Sequence, residues 1–577
     1  MKYFLVILFS GFLSACFNDQ SSSDQREINN DEATEINKNG FRIAAVDLIS
    51  GVNNSESAYI PPQCYTNVTQ ENKKVSNPCY SCHVNGTRPN YLHDDGDLQI
   101  EYDFTDYSSF NRYSNLFKDR SEEVSVISDE LIDKYVEESN YFDLSGEIIL
   151  SEILKDVPKT WDVNQDGQWG GYIPDAYFNF DLYGMDVDPQ GLPTGWVVFA
   201  YYPMMGEFFP TNGSTDDVLI RLPNIFRQDS QSNYSKDVYR LNLAIIEAMI
   251  RERDVAIDET DETLYGVDLD RNGVLSTATS VVYQWSPLNN IYMSYVGKAK
   301  QVYEYNLAEM AAGLYPKGTE FLHSVRYLAV DGSHVRMAPR MKELRYSQKI
   351  TWNNYSQLSN SVSSEVKERD DFPERLSQYN SSKKHGMEKG LYNGRGWIYQ
   401  GFIESESGDL RPQTYEETLF CMGCHTGVGV TTDSSFAYPR KLGHESFRNG
   451  FYHWLEKGLS GLPDPMRNDG KGEYLTYLQL NPTGNEFGTN SEVKNKFYSN
   501  GELIPEMVEK LNSDISELLI PSPARARELN KSYKVIVDEQ SYIYGRTGHV
   551  LPIENIHRNI PVGEGTGIST AVSASRI

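Results

Sequence analysis

The clearest periodicity in the chain lies at Val238, Leu241, Ile245 and Met249, where apolar residues return every three or four positions. That spacing lines one face of an α-helix and predicts an amphipathic helix there. A second helix is predicted through Leu131, Ile132, Tyr135 and Val136. Ser128 stands as its N-cap, because a short hydroxyl can accept from the unpaired N–H groups of the first turn. A third opens at Pro505, which has no N–H to leave unpaired, and carries Met507, Val508, Leu511, Ile515 and Leu518. Residues 196–202 and 280–285 are instead dense in β-branched and aromatic side chains and read as strands.

At the N-terminus Lys2 precedes an apolar run (residues 5–9, Phe12 and Leu13) well short of the roughly 20 residues a membrane span needs. The run closes on Leu13-Ser14-Ala15-Cys16, which resembles the bacterial lipobox. That resemblance implies export, removal of residues 1–15, and a lipid on Cys16. By the same family rule, Phe17 in place of an aspartate points to the outer membrane. Residues 16–58 are rich in Ser, Asn, Asp, Glu and Gln with few aromatics, and read as a flexible tether. No later segment approaches a membrane span, so attachment is expected through the lipid alone.

Charge then narrows the partners. With 81 acidic residues against 53 Lys and Arg, the formal net charge is −28. Such a balance argues against nucleic acid and against docking on anionic lipid through the protein surface. It suits a solvated exported surface, or an acidic face that meets a basic redox partner.

The six cysteines change the picture most. Cys16 goes to lipid and Cys64 stands alone, while the others form two pairs, each followed at once by histidine: Cys79-Tyr80-Ser81-Cys82-His83 and Cys421-Met422-Gly423-Cys424-His425. In such a string two thiols add across the vinyl groups of a porphyrin and the histidine meets the iron from one face. Chance would supply one such string about 0.001 times in a chain of this composition. A zinc site or a pair of redox disulfides would leave both histidines unexplained. These two segments resemble c-type cytochromes. The resemblance covers the motifs and about fifty residues around each, and it implies two covalent haems with His83 and His425 as proximal ligands.

The opposite face of each iron is less determined. Near the second motif, Leu462-Pro463-Asp464-Pro465-Met466 is similar to the proline-methionine loop of class I cytochromes c, which makes Met466 a candidate distal ligand beside His444 and His453. Near the first, His93 is the nearest candidate, with His323 and His334 more distant. Cys64 reads either as a thiolate ligand or as a buried inert thiol.

Between the motifs, Asp162-Val-Asn164-Gln-Asp166-Gly167 and Asp268-Leu-Asp270-Arg-Asn272-Gly273 alternate oxygen-bearing side chains and end in a turn glycine. Calcium takes six to eight oxygens, and both strings resemble the first half of an EF-hand loop. Candidate ligands are Asp162, Asn164, Asp166, Asp268, Asp270, Asn272 and the carbonyl of Val274. Ile173 and Thr279 stand where a twelfth-position glutamate belongs, so neither is a regular EF-hand, and ordinary Asx turns are the alternative. Asp186-Val-Asp188-Pro-Gln190-Gly191 is a weaker cousin.

The expected architecture is α+β and multidomain. Two mainly helical, loop-rich haem regions (59–140 and 376–475) flank a large mixed middle domain (141–375), and a C-terminal segment (476–577) follows. The expected function is electron transfer in the periplasm or at the cell surface, to a redox protein or an extracellular acceptor. The alternative is a dihaem oxidoreductase, peroxidase- or oxygenase-like, with one relay haem and one substrate-binding haem.

Overall fold

One antiparallel sheet organises the molecule. In chain order its nine strands are β1 (Met185–Val187), β2 (Pro193–Val198), β3 (Thr215–Asp216), β4 (Leu219–Arg221), β5 (Glu320–Asp331), β6 (His334–Lys349), β7 (Leu391–Tyr392), β8 (Trp397–Glu404) and β9 (Leu410–Pro412). Their order across the sheet is β7-β8-β6-β5-β4-β2-β1, with β9 paired to β8 and β3 to β5. The computed structural model describes most of residues 104–199, 218–371, 387–425, 432–435, 459–480, 490–553 and 556–565. It adds short pieces at 34–36, 42–49, 60–66, 68–69, 75–76, 84–85, 215–216 and 572–573.

The long β5–β6 hairpin turns at Gly332, whose φ of +60° a side chain would resist, and closes on the Asp331–His334 pair. Side chains then alternate between the two faces. Trp196, Val198, Leu219, Leu322 and Phe402 point to one core, whereas Val197, Ile220, Phe321 and Tyr399 point to the other. Both faces are covered, so β5 and β6 bury charged side chains such as Arg326, Arg340, Lys342 and Glu343 along with the apolar ones and show no clean two-residue alternation.

Among the helices that frame the sheet are α1 (Asp129–Glu137), α2 (Lys236–Arg251), α3 (Tyr415–Met422), α4 (Glu473–Leu480), α5 (Pro505–Ser513) and α6 (Pro523–Glu539). The predicted helices form where the periodicity puts them. Ser128 caps α1 by accepting from the Leu131 N–H, and Ser235 caps α2 by accepting from Val238. Leu511 and the neighbouring Ile515 and Leu518 are buried, but the chain breaks between α5 and a short helix at Ser516–Leu519. Helices α2 and α3 pack on one face, while α4 and α5 pack on the other. Tyr327, Ala329 and Ala338 meet α1 and α6 in a third cluster.

The chain is thus mixed α/β, with a large antiparallel sheet. The predicted strands are shifted: β2 begins three residues before the expected 196, and the other expected strand is Thr277–Val281, paired with Val255–Asp261. Strand β8, beyond the boundary expected at 375, hydrogen-bonds to β6, before it, from Trp397–Lys349 through Ile403–Glu343. Among the described residues no helix is long and apolar enough to cross a membrane.

Candidate functional site

Helix α3 delivers the second cysteine pair. Thr414 and Glu417 form a reciprocal capping box, the Thr414 hydroxyl accepting from the Glu417 N–H and the Glu417 carboxylate accepting from the Thr414 N–H at 2.8 Å. The same carboxylate accepts two bonds of 2.9 Å from Arg411, and both side chains are buried. Tyr415, Leu419 and Met422 face the core, which fixes the helix rotation. The helix ends at Met422, and the Cys421 carbonyl accepts from the N–H groups of Cys424 (3.2 Å) and His425 (3.0 Å). Both thiols and the imidazole therefore stand on one turn at a helix end, partly accessible, with Cys421 and Cys424 not disulfide-bonded.

The His425 ring is held on two sides. Its Nδ1 lies 2.7 Å from the Ser435 carbonyl oxygen, and a carbonyl can only accept, so Nδ1 carries the proton and Nε2 the lone pair. The Tyr399 ring, on β8, lies with its centroid 4.5 Å away, tilted 36°. Burial pulls the imidazole down to about 4, against the Ser435 carbonyl that favours its charged form, so the ring is neutral at pH 7. A neutral imidazole with Nδ1–H directed at a carbonyl is the form in which histidine binds iron or zinc. Two thiols and this imidazole fit a c-type haem, for which they would supply both thioether links and one axial ligand.

Around this turn the fold gathers residues that no motif announces. Phe420 packs edge-on against Tyr113 at 5.5 Å, in an apolar cluster that also holds Tyr65, Leu116 and Cys64. Burial pushes the Cys64 thiol up to about 12, so at neutral pH it is a protonated, poorly nucleophilic group. Arg546 lies over the Phe420 ring at 4.8 Å and donates to Glu343 at 2.7 Å.

Met466 stands at the surface, 56% exposed, where its backbone bridges to Gly472. Its loop serves α4: the Asp464 carboxylate accepts from the Tyr474 and Leu475 N–H groups at 2.9 and 3.0 Å, capping that helix. His323 faces Arg345 across the β5–β6 pair and His334 closes the hairpin. Cys16, Cys79, Cys82, His83, His93, His444 and His453 lie outside the described residues.

The two calcium candidates separate. In the first, Asp162 accepts from Asp166 and Gly167, Asn164 also accepts from Asp166, and the buried Glu388 accepts from the Val163, Asn164 and Gly170 N–H groups. That loop is a nest of Asx turns docked on a glutamate. In the second, Gly273 donates to one Asp268 oxygen, while the other is buried without a hydrogen bond. Asn272 accepts from the Val274 N–H and donates to Asp270. The buried Glu262, six positions upstream of Asp268, brings a third carboxylate, and ligand atoms of Glu262, Asp268 and Asp270 lie within 4.8 Å of one another. Sequence reasoning missed Glu262, whose one signal is the acidic run Asp258-Glu259-Thr260-Asp261-Glu262. At the weaker cousin, Asp186 is fully buried and accepts from Tyr177, Asn179 and Thr194, which makes it a structural carboxylate.

A family described as "-like lipoprotein" matches residues 48–511. A protein of Aquifex aeolicus (strain VF5), named an uncharacterized lipoprotein, is 30% identical over 545 residues, covering 87% of each chain. No solved structure gives a significant match. Both likenesses span the sheet and helix α3 together, and the chain belongs to this lipoprotein family.

Proposed function

We propose that this lipoprotein is a dihaem c-type cytochrome, with one haem on Cys79, Cys82 and His83 and another on Cys421, Cys424 and His425, and that it transfers electrons outside the cytoplasm. The observation that carries the reading is the His425 turn: a Cys-x-x-Cys-His string at a helix end whose imidazole has its Nδ1 proton directed at a carbonyl. When bound, each haem supplies a one-electron centre. The chain's part is to attach it, hold the axial imidazole and limit water around it.

Lipid on Cys16 would hold the protein to a membrane, the outer one by the residue that follows. The net charge of −28 favours a basic redox partner or an extracellular acceptor. Calcium would be a structural ion in the Asp268 loop, where Glu262 stands in for the missing twelfth-position carboxylate. Met466, His444 and His453 remain the candidate distal ligands of the second haem, and His93 that of the first.

Optical and electron paramagnetic resonance spectra of the purified, mature protein test the reading. Two low-spin haems indifferent to carbon monoxide and cyanide are expected of a relay. A high-spin haem that binds either ligand would favour the dihaem oxidoreductase instead.

A further inference from the structure

The turn that carries the His425 partner is built at unusual conformational cost. Asp433 and Ser434, consecutive non-glycine residues, both adopt the left-handed conformation, with φ of +53° and +57°. Such residues persist where surrounding structure over-determines them. Here the clamps come from the sheet. Trp397 at the start of β8 donates from Nε1 to the Asp433 carbonyl at 2.9 Å. Asn393, between β7 and β8, donates from Nδ2 to the Ser434 carbonyl at 3.0 Å and to the His425 carbonyl at 3.2 Å. Within the turn, the Ser435 N–H donates to the Thr432 carbonyl at 3.0 Å.

The strongest clamp is an ion pair. Lys349, the last residue of β6, is 1% exposed and places Nζ 2.5 Å from Oδ2 of Asp433, which is equally buried. The ammonium also donates to the Tyr315 carbonyl at 2.9 Å, and the same Asp433 oxygen accepts from the Tyr315 N–H at 3.0 Å. A buried ion pair is weak evidence for stability, because desolvation opposes the attraction, but it fixes geometry where its hydrogen bonds are complete. What this geometry serves stands two residues on: the Ser435 carbonyl, 2.7 Å from His425 Nδ1.

We infer that Lys349 and Asp433 are positioning residues for the axial imidazole, anchoring the 432–435 turn to the sheet so that the Ser435 carbonyl holds His425 in one tautomer and orientation. This rests on the haem reading of His425. A carbonyl held on Nδ1–H makes the imidazole a stronger donor to iron and so favours the oxidised state. Loosening the turn weakens that bond and raises the reduction potential of one haem, leaving the other unchanged.

The experiment uses the mature protein with haem attached, as wild type, Asp433→Asn and Lys349→Met, with Arg221→Met as control. Arg221 forms a partly buried pair on the same sheet, and its guanidinium bonds go to Glu320 and Asp175 rather than to the 432–435 turn. Asn tolerates the left-handed conformation and keeps an acceptor for Tyr315, so Asp433→Asn is the mild variant. Mass spectrometry first establishes that both haems are attached, and redox titration then reads each potential. The expected result is an upward shift of a single potential in both pair variants, partial restoration in Lys349→Arg, and no shift in Arg221→Met. Melting temperatures lowered alike in all three variants, with both potentials unmoved, would make the ion pair structural and overturn the inference. Should Lys349→Met fail to fold, Asp433→Asn and Lys349→Arg decide alone. Absence of covalent haem in the wild type would instead overturn the haem reading on which this rests.

Discussion

At the scale of single residues, spacing along the chain was legible and support from distant residues was not. Cys421, Cys424 and His425 stand out in the sequence by their fixed short spacing, and the fold places them together at the end of α3. The Ser435 carbonyl meets the same imidazole, with Asp433 and Lys349 paired behind it from separate stretches of chain, and no spacing rule links them. Asp186 shows the opposite error: its string hinted at an ion, yet its carboxylate is fully used by Tyr177, Asn179 and Thr194. Burial, opposed by those hydrogen bonds, raises that carboxyl from 3.8 to about 6. A carboxyl raised on folding binds its proton more tightly in the native state, so its contribution is fully present below about pH 3.8 and is lost as pH rises through about 6. Thermal melts between pH 4 and 7 should therefore show the wild type losing stability with rising pH relative to Asp186→Asn, by up to about 3 kcal/mol. Parallel pH profiles for the two proteins would contradict this.

At the scale of elements, helices were legible where an apolar stripe coincided with a start signal, as in α1, α2 and α5, whereas the longer Pro523–Glu539 was not read. Helix α2 carries its apolar face through four turns and a serine cap, and its limits follow from both. The strands were blurred because β5 and β6, covered on both faces, bury charged side chains such as Arg326, Arg340, Lys342 and Glu343 and so lack the two-residue alternation of a half-exposed strand. The loops divide on a residue that their own strings do not contain. Glu262 comes from a short helical turn upstream, and its side chain also holds the Leu269, Asp270 and Ser276 N–H groups. Three carboxylates gathered this closely repel unless a cation or protons intervene. Calcium bound to the folded state alone should stabilise it by about 2.7 kcal/mol at a hundredfold excess over its dissociation constant. Chelator should lower the melting temperature, calcium should restore it, and Asp268→Ala with Asp270→Ala should blunt both responses. Asp162→Ala, in the loop closed by its own Asx turns, should leave the calcium response intact. A melting curve indifferent to chelator, with no metal by elemental analysis, would reduce both loops to Asx turns.

At the scale of the whole molecule, one sheet joins strands on both sides of the boundary expected near residue 375. Strands β7–β9 and helix α3 continue from β6, so the sheet forms the floor on which the second cysteine pair stands. Sequence pattern could not reveal this, since β8 reaches β6 across the intervening residues 350–396 and the pairing leaves no local mark. The lipoprotein character was readable from four residues at the N-terminus and agrees with the family to which the chain belongs. The central claim, two covalent haems on a lipid-anchored body, is tested most directly by intact-mass spectrometry of the mature protein from cells that attach c-type haem. The expected result is a mass increased by two haems, falling to one haem when both Cys421 and Cys424 are replaced by alanine. A wild-type mass matching the lipidated polypeptide alone would contradict it.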